Sequence, residues 1–387
     1  MGRFVVVVID SCGAGELPDA AAYGDAGANT LANCARKVGG LELPVLQSWG
    51  LGNVTAIDGC PPAASPKAAF GRMAEQSQGK DTTTGHWEMM GVLLEKGFTT
   101  FPQGFPPQLL DEWLRLSGAP GYLGNKTASG TVILDELGEE HLKTGHPIVY
   151  TSADSVFQIA AHEEKVPLKT LYAWCEAARA VGKPYGLARV IARPFVGPGA
   201  GQFKRTYNRH DFSQPPPRGT VLDLLADKGV RTVGVGKIPD IYDNHGIAES
   251  VHTEGNADGL RKTADILGTL DSGFLFVNLV DTDMLYGHRR DPGGYAGALR
   301  EIDAALPGIA ARLRKEDLLV LTADHGNDPT FPGTDHTREY VPLIAHAPGR
   351  SGADLGVRES FCDLGATVAE YFGVRAPRGR SFLGAIG

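Results

Sequence analysis

The chain has 387 residues, 42% of them apolar, and 37 Lys and Arg against 45 Asp and Glu leave a net charge of −8. That length suits one large core and a second domain, and the acidic balance argues against a nucleic-acid surface as the main function. The five cysteines (Cys12, Cys34, Cys60, Cys175, Cys362) include no CxxC pair, and an odd, dispersed set reads as reduced thiols in a reducing, cytoplasmic compartment.

Phe4 to Ile9 is an unbroken apolar run ending at Asp10. It predicts a central parallel strand covered on both faces. Six residues are too few for a membrane span or a signal-peptide core. Met1-Gly2 would suit myristoylation only with Ser or Thr at position 6, where Val6 stands. The chain then continues to about residue 98 as α/β units, and its 51 glycines suit tight strand-to-helix turns.

A cluster of hydroxyls follows in G-K-D-T-T-T-G-H-W-E-M-M-G, with Lys80 and Asp81 ahead of Thr82, Thr83 and Thr84. Gly85 to Gly91 is expected to begin a helix, and a hydroxyl at its N-terminus sits in positive potential that favours an attached phosphate. A metal beside it would lower its pKa and make it a nucleophile. A run of good N-capping residues is the simpler reading of D-T-T-T taken alone. Spacing does not choose among the three threonines.

Two proline clusters, F-P-Q-G-F-P-P and D-F-S-Q-P-P-P-R-G, read as linkers. They bound residues 99–216 as a domain inserted into a core made of 1–98 and 217–387. Helices are expected over Gln108–Leu116 and Leu168–Val181, and strands over Ile148–Thr151 and Gly186–Ala192. Asp154 ends a strand of the insert, where it would bond a sugar hydroxyl or cap a turn. From Ala177 to His210 there is no Asp or Glu but seven cations. Arg179 and Lys183 suit a solvated helix face. Arg193 and Arg209, expected in loops, suit anion recognition, since the guanidinium fork matches phosphate oxygens.

Beyond the insert the α/β style returns, with a helix expected over Thr220–Asp227 and a strand over Val230–Val235. Two more apolar runs end in acids and imidazoles. Phe274–Val280 leads to Asp281, Asp283 and His288, and Leu318–Leu321 leads to Asp324 and His325, with His336 following. In open α/β sheets ligands bind beyond the carboxyl ends of strands. Three carboxylates and three imidazoles released at that edge suit two divalent transition metals better than scattered surface acids and satisfied histidines.

These residues resemble the phosphopentomutases of the alkaline phosphatase superfamily from end to end. The resemblance is carried by V-I-D-S-C-G-A-G-E-L-P-D-A, G-K-D-T-T-T-G-H-W-E-M-M-G, G-N-K-T-A-S-G-T, Y-T-S-A-D-S-V-F-Q-I-A-A-H-E-E, R-V-I-A-R-P-F-V-G, N-R-H-D, G-H-R-R-D-P and T-A-D-H-G-N-D-P with T-D-H-T-R-E-Y-V-P. The metal-ligand pattern is common to the superfamily, and the insert motifs are the specific part. The resemblance implies an α/β core with a mostly parallel sheet covered by helices on both faces, plus a smaller α+β cap. It implies one metal ion, manganese, on Asp10, Asp324 and His325, and a second on Asp283, His288 and His336. Thr82 would be the phosphorylated nucleophile, with Asp154, Arg193, Arg209 and Lys237 facing the sugar phosphate. The reaction would exchange ribose or 2-deoxyribose 1-phosphate with the 5-phosphate in nucleoside salvage, through a sugar bisphosphate that also acts as activator. Small pentose phosphates would be the partners, with no nucleic acid and no membrane. A phosphatase or sulfatase would share the six ligands but leave water access, and a non-enzymatic metal or sugar-phosphate binder would not need the placed hydroxyl.

Overall fold

The computed structural model describes residues 2–152 and 155–386. The chain divides into two compact units, Met1–Lys96 with Pro216–Gly387, and Gly97–Pro215. Among the described residues the strands are, in chain order, β1 (Arg3–Ile9), β2 (Ala69–Met73), β3 (Leu123–Thr127), β4 (Ile148–Thr151), β5 (Val156–His162), β6 (Arg189–Val196), β7 (Lys204–Arg205), β8 (His210–Ser213), β9 (Thr232–Val235), β10 (Glu249–Val251), β11 (Gly273–Leu279), β12 (Leu318–Thr322), β13 (Val341–His346) and β14 (Asp354–Arg358).

The first unit is built on an eight-stranded sheet in the order β10-β9-β11-β1-β12-β13-β2-β14. All neighbours are parallel except β13, which runs antiparallel to both β12 and β2. Every residue of β1, β11 and β12 is buried. Side chains alternate between the two faces of a strand, so complete burial means both faces are covered, and this is why each run reads as continuously apolar rather than alternating. Because β11, β1 and β12 are adjacent and parallel, their carboxyl ends open onto one edge of the sheet.

The opposite end of β1 is anchored by a buried ion pair. Arg3 donates from its backbone N (2.7 Å) and its Nε (2.8 Å) to Asp317, and from Nη2 to the Arg312 carbonyl (2.7 Å). Asp317 immediately precedes β12, so the pair fixes the start of that strand beside β1. A buried charge is tolerated only with this degree of pairing.

The second unit has its own sheet, β3-β4-β5-β6-β7, with β8 also pairing with β6. Helices Pro107–Ser117 and Leu168–Gly182 pack with Trp113, Phe157 and Trp174 in one cluster, and helix Gly130–Thr144 contributes Ile133 and Leu134 to a second. Both expected helices are present, each longer by one or two residues.

Three local expectations are corrected. Residues 101–107 are not a linker, because Phe101 and Phe105 are buried in the unit's own core, with the Phe105 ring stacked 4.3 Å from Phe157. The expected strand over Gly186–Ala192 is β6, displaced to Arg189–Val196. Arg193 and Pro194 therefore lie within a strand, not a loop. Proline has no N–H to donate, so the backbone bond on that side is forgone while the apolar residues around it still bury.

Candidate active site

β1 ends at Asp10, and Ser11 follows with φ 73°. A left-handed serine is costly, and the turn it makes aims its own N–H at Asp324 Oδ1 (3.0 Å). Asp324 and His325 follow β12 directly. Asp283 lies in a single π-turn, Thr282–Gly287, whose first residue donates from Oγ1 to the Asp10 carbonyl (2.6 Å). His336 comes from the loop before β13, a loop held by Arg290 through the carbonyls of Gly333, Asp328 and Asp335.

These elements bring all six expected ligands together. Asp10, Asp324 and His325 each place one ligand atom within 4.8 Å of the others, and so do Asp283, His325 and His336. His325 Nε2 is 3.5 Å from Asp10 Oδ1 and 3.4 Å from Asp324 Oδ2. His288 Nε2 is 3.2 Å from both Asp283 Oδ2 and His336 Nε2, and His336 Nε2 is 3.4 Å from Asp283 Oδ1. The rings of His325 and His336 stack at 3.9 Å, so the two sets are contiguous.

The donor set fits divalent ions. Asp10 Oδ1 and Asp324 Oδ2 are buried with no hydrogen-bond partner, whereas the other oxygen of each carboxylate is held, Asp10 Oδ2 by Asn278 Nδ2 (3.1 Å) and Asp324 Oδ1 by Ser11 N–H. His288 Nδ1 faces the Thr334 carbonyl (2.7 Å) and His325 Nδ1 the Gly326 carbonyl (3.1 Å). A carbonyl only accepts, so each ring carries its proton on Nδ1 and turns the Nε2 lone pair inward, the arrangement a metal-ligating histidine needs.

The electrostatics point the same way. Burial, then the neighbouring Asp324 carboxylate, push Asp10 up to about 7. Burial opposes ionisation of Asp324 too, but His325 and His86 outweigh it and hold that carboxyl at about 2. Burial lowers His325, which favours its neutral, ligating form. Burial likewise opposes ionised Asp283, yet His336 and His288 hold it well below the usual carboxylate range. Two buried carboxylates this close resist ionising together, and a cation beside them would relieve that.

The three threonines differ in their local geometry. The helix spans Thr82–Met89, three residues earlier than Gly85, and its N-cap is Asp81, which accepts from Thr83 N (3.0 Å) and Thr84 N (3.2 Å). Thr84 Oγ1 donates to the same carboxylate (2.5 Å). Capping is therefore done by Asp81, and Thr82 Oγ1 is left to face His325 Nε2 at 3.1 Å. Gly85 is required here because a β-carbon would collide with the Asp324 carbonyl. Lys237 Nζ stands 3.9 Å from Asp10 Oδ2.

In the second unit, half-buried Arg193 donates from Nε to Gln158 Oε1 (3.0 Å), and burial, then Arg209 and Arg205, lower it to about 10. Arg209 is not held for a ligand alone. It forms a bidentate pair with Asp211 (2.8 and 2.7 Å), the first acid after the acid-free stretch. Asp154 lies outside the described residues. Sequence reasoning also passed over Ser11, His86, Asn278 and Asn327. Asn278 had a readable signal, a lone amide inside the apolar run F-L-F-V-N-L, whereas Ser11 had none.

The family model described as Metalloenzyme superfamily matches residues 2–376. The chain thus belongs to the Metalloenzyme superfamily, and its α/β fold resembles that of the PH0037 protein from Pyrococcus horikoshii (TM-score 0.50, 13% identity, 96% of this chain and 97% of that one). Sequence relatives narrow the class. The chain is 66% identical over 381 residues to the phosphopentomutase of Anaeromyxobacter dehalogenans strain 2CP-1, covering 98% of each. It is 58% identical over 374 residues to that of Symbiobacterium thermophilum (96% of this chain, 95% of the relative). It belongs to the phosphopentomutase family and is an isomerase of the mutase type.

Proposed function

We propose that this enzyme interconverts ribose 1-phosphate, or 2-deoxyribose 1-phosphate, and the corresponding 5-phosphate in nucleoside salvage in the cytoplasm, with Thr82 as the phosphoryl carrier. The observation that carries the reading is the placement of Thr82 Oγ1 3.1 Å from His325 Nε2, where the two ligand sets meet. Asp10, Asp324 and His325 would hold one divalent ion, and Asp283, His288 and His336 the other, with manganese as the expected metal. Such ions supply Lewis-acid stabilisation of phosphoryl oxygens and acidify an adjacent hydroxyl.

The chain's own groups do the rest. Asp81 caps the helix and frees Thr82 Oγ1 to give up its proton and receive the phosphoryl group. The helix N-terminus behind it favours the added negative charge. Lys237 adds a cation beside Asp10. Residues 99–216 act as a cap that holds the sugar phosphate through Arg193, Arg209 and Asp154 and keeps water from the phosphothreonine. The phosphate on Thr82 passes to the free hydroxyl of the bound pentose monophosphate, giving a bisphosphate, and the other phosphate returns to Thr82. An added sugar bisphosphate would prime the cycle. The test is product identification after incubation with Mn2+ and ribose 1-phosphate. Ribose 5-phosphate supports the mutase, and free ribose with inorganic phosphate would replace it with a phosphatase.

A further inference from the structure

Two buried asparagines each touch one of the carboxylates assigned above to different ions. Asn278 Nδ2 donates to Asp10 Oδ2 (3.1 Å), and Asn327 Nδ2 donates to Asp283 Oδ1 (2.7 Å). Both are essentially inaccessible, at 1% and 0% exposure. We infer that Asn278 and Asn327 are positioning residues, each dedicated to one metal ion, that pin one oxygen of a ligand carboxylate and so present the other. This rests on the two-ion reading of the site.

The amide orientations follow from their neighbours. Asn278 Nδ2 lies between Asp10 Oδ2 and His86 Nε2 (3.4 Å). His86 faces the Thr82 carbonyl with Nδ1 (2.9 Å), so its proton is there and its Nε2 is an acceptor. With acceptors on both sides, the end of Asn278 that faces them must be NH2. Asn327 Oδ1 accepts from Arg290 Nη1 (2.5 Å), which leaves its NH2 for Asp283.

Packing alone does not account for Asn278. It interrupts a strand whose every residue is buried, and its Oδ1 has no hydrogen-bond partner. A bare buried polar atom is destabilising, and an apolar residue of similar shape would serve the core better. What leucine lacks is the donor to Asp10. Without that donor Asp10 keeps both oxygens free to rotate, and its contribution to an ion weakens. Ligand-orienting groups of this kind are worth about 10–100-fold in metal affinity.

The experiment titrates metal-free protein with Mn2+ alone, by calorimetry and equilibrium dialysis, and measures metal-free thermal unfolding beside it. The parent should take up two ions. Asn278→Leu should weaken one of them by about 10–100-fold and leave the other unchanged. Asn327→Leu should weaken the other. In a His336→Ala background, which keeps only the Asp10 set, Asn278→Leu should weaken the remaining ion and Asn327→Leu should not. If Asn278→Leu does not fold, Asn278→Ala carries the same expectation for Mn2+. Unchanged affinities in the single variants overturn the inference. So does equal weakening of both ions together with a lowered metal-free unfolding temperature, which marks a structural role. A parent that binds no Mn2+ would overturn the two-ion reading itself.

Discussion

Lys80 Nζ stands 3.2 Å from Asp335 Oδ2, so the residue two before Thr82 is tied to the residue immediately before His336. The same ammonium lies 3.0 Å from Asp25 Oδ2, which also accepts from the Arg338 backbone N (2.9 Å). Buried Arg338 reaches back to the carbonyls of Ser77 (2.9 Å) and Gly79 (2.6 Å). The turn that carries the Thr82 hydroxyl and the loop that carries His336, a candidate ligand, are thereby one braced assembly. Lys80→Met should leave Asp25 short of a cation and cost about 1–3 kcal/mol of stability. Turnover should fall more than substrate affinity, because the brace sets where Thr82 points. Lys80→Arg should restore part of both. Denaturant midpoints and a split of kcat from KM check this, and a variant with parental kcat contradicts it.

Thr82→Ala should abolish turnover and accept no covalent phosphate. Thr83→Ala should be mild. Thr84→Ala should lose only its hydroxyl bond to Asp81, about 1 kcal/mol of stability. Peptide mass spectrometry after exposure to a sugar bisphosphate reports the labelled residue, and phosphate on Thr83 or Thr84 would refute the choice of hydroxyl.

Asp283→Ala and His336→Ala should each cost one bound ion per chain and nearly all mutase activity, with the fold retained. The two residues approach within 3.4 Å of each other and share His288 as a neighbour. Elemental analysis of the purified variants decides it, since two retained ions in both would dissolve that ligand set.

Metal uptake should depend on pH with a definite sign. Burial opposes a protonated His288, but the hydrogen bond to Asp283 outweighs it and raises that imidazole. Binding an ion requires Nε2 to be bare, so protons compete with metal. Mn2+ affinity at the Asp283 set should therefore fall as pH drops through the histidine range, starting above the ordinary histidine value, by about tenfold per pH unit for each competing proton. Calorimetry across a pH series would show it, and a flat profile would mean that His288 is not a ligand.

Arg209→Ala should weaken sugar-phosphate capture by roughly 1.5–3 kcal/mol if the guanidinium makes a charge-assisted bond to phosphate. The bidentate pair with Asp211 sets a second expectation. Asp211→Asn should weaken that pair and leave affinity equal or higher. A fall in KM-derived affinity in both variants would mean that the pair acts as a structural clasp.

Much of the fold was readable because burial on both faces of a strand imposes an unbroken apolar run. Phe4–Ile9, Phe274–Leu279 with Asn278 as its one polar residue, and Leu318–Leu321 announce themselves in that way. Asp10, Asp324 and His325 were readable as candidates because Asp and His just after such runs have no packing role to fill, and Asp283, His288 and His336 because they lie in the segments that follow. Boundaries set by tertiary contact were not. The proline-rich stretch at 101–107 looked like a linker because nothing local says that Phe101 and Phe105 will meet Phe157.

The sequence by itself determined the parallel core, the ligand types and a short list of hydroxyls, since these depend on periodicity and residue chemistry along the chain. Only the tertiary structure decided that Asp81 caps the helix and frees Thr82, that Ser11 and Asn278 each claim one carboxylate oxygen and leave the other bare, and that Asp211 engages Arg209. Two of these hydrogen bonds join groups hundreds of residues apart and two join near neighbours, and in either case a hydrogen bond is decided by angstroms that no local pattern records.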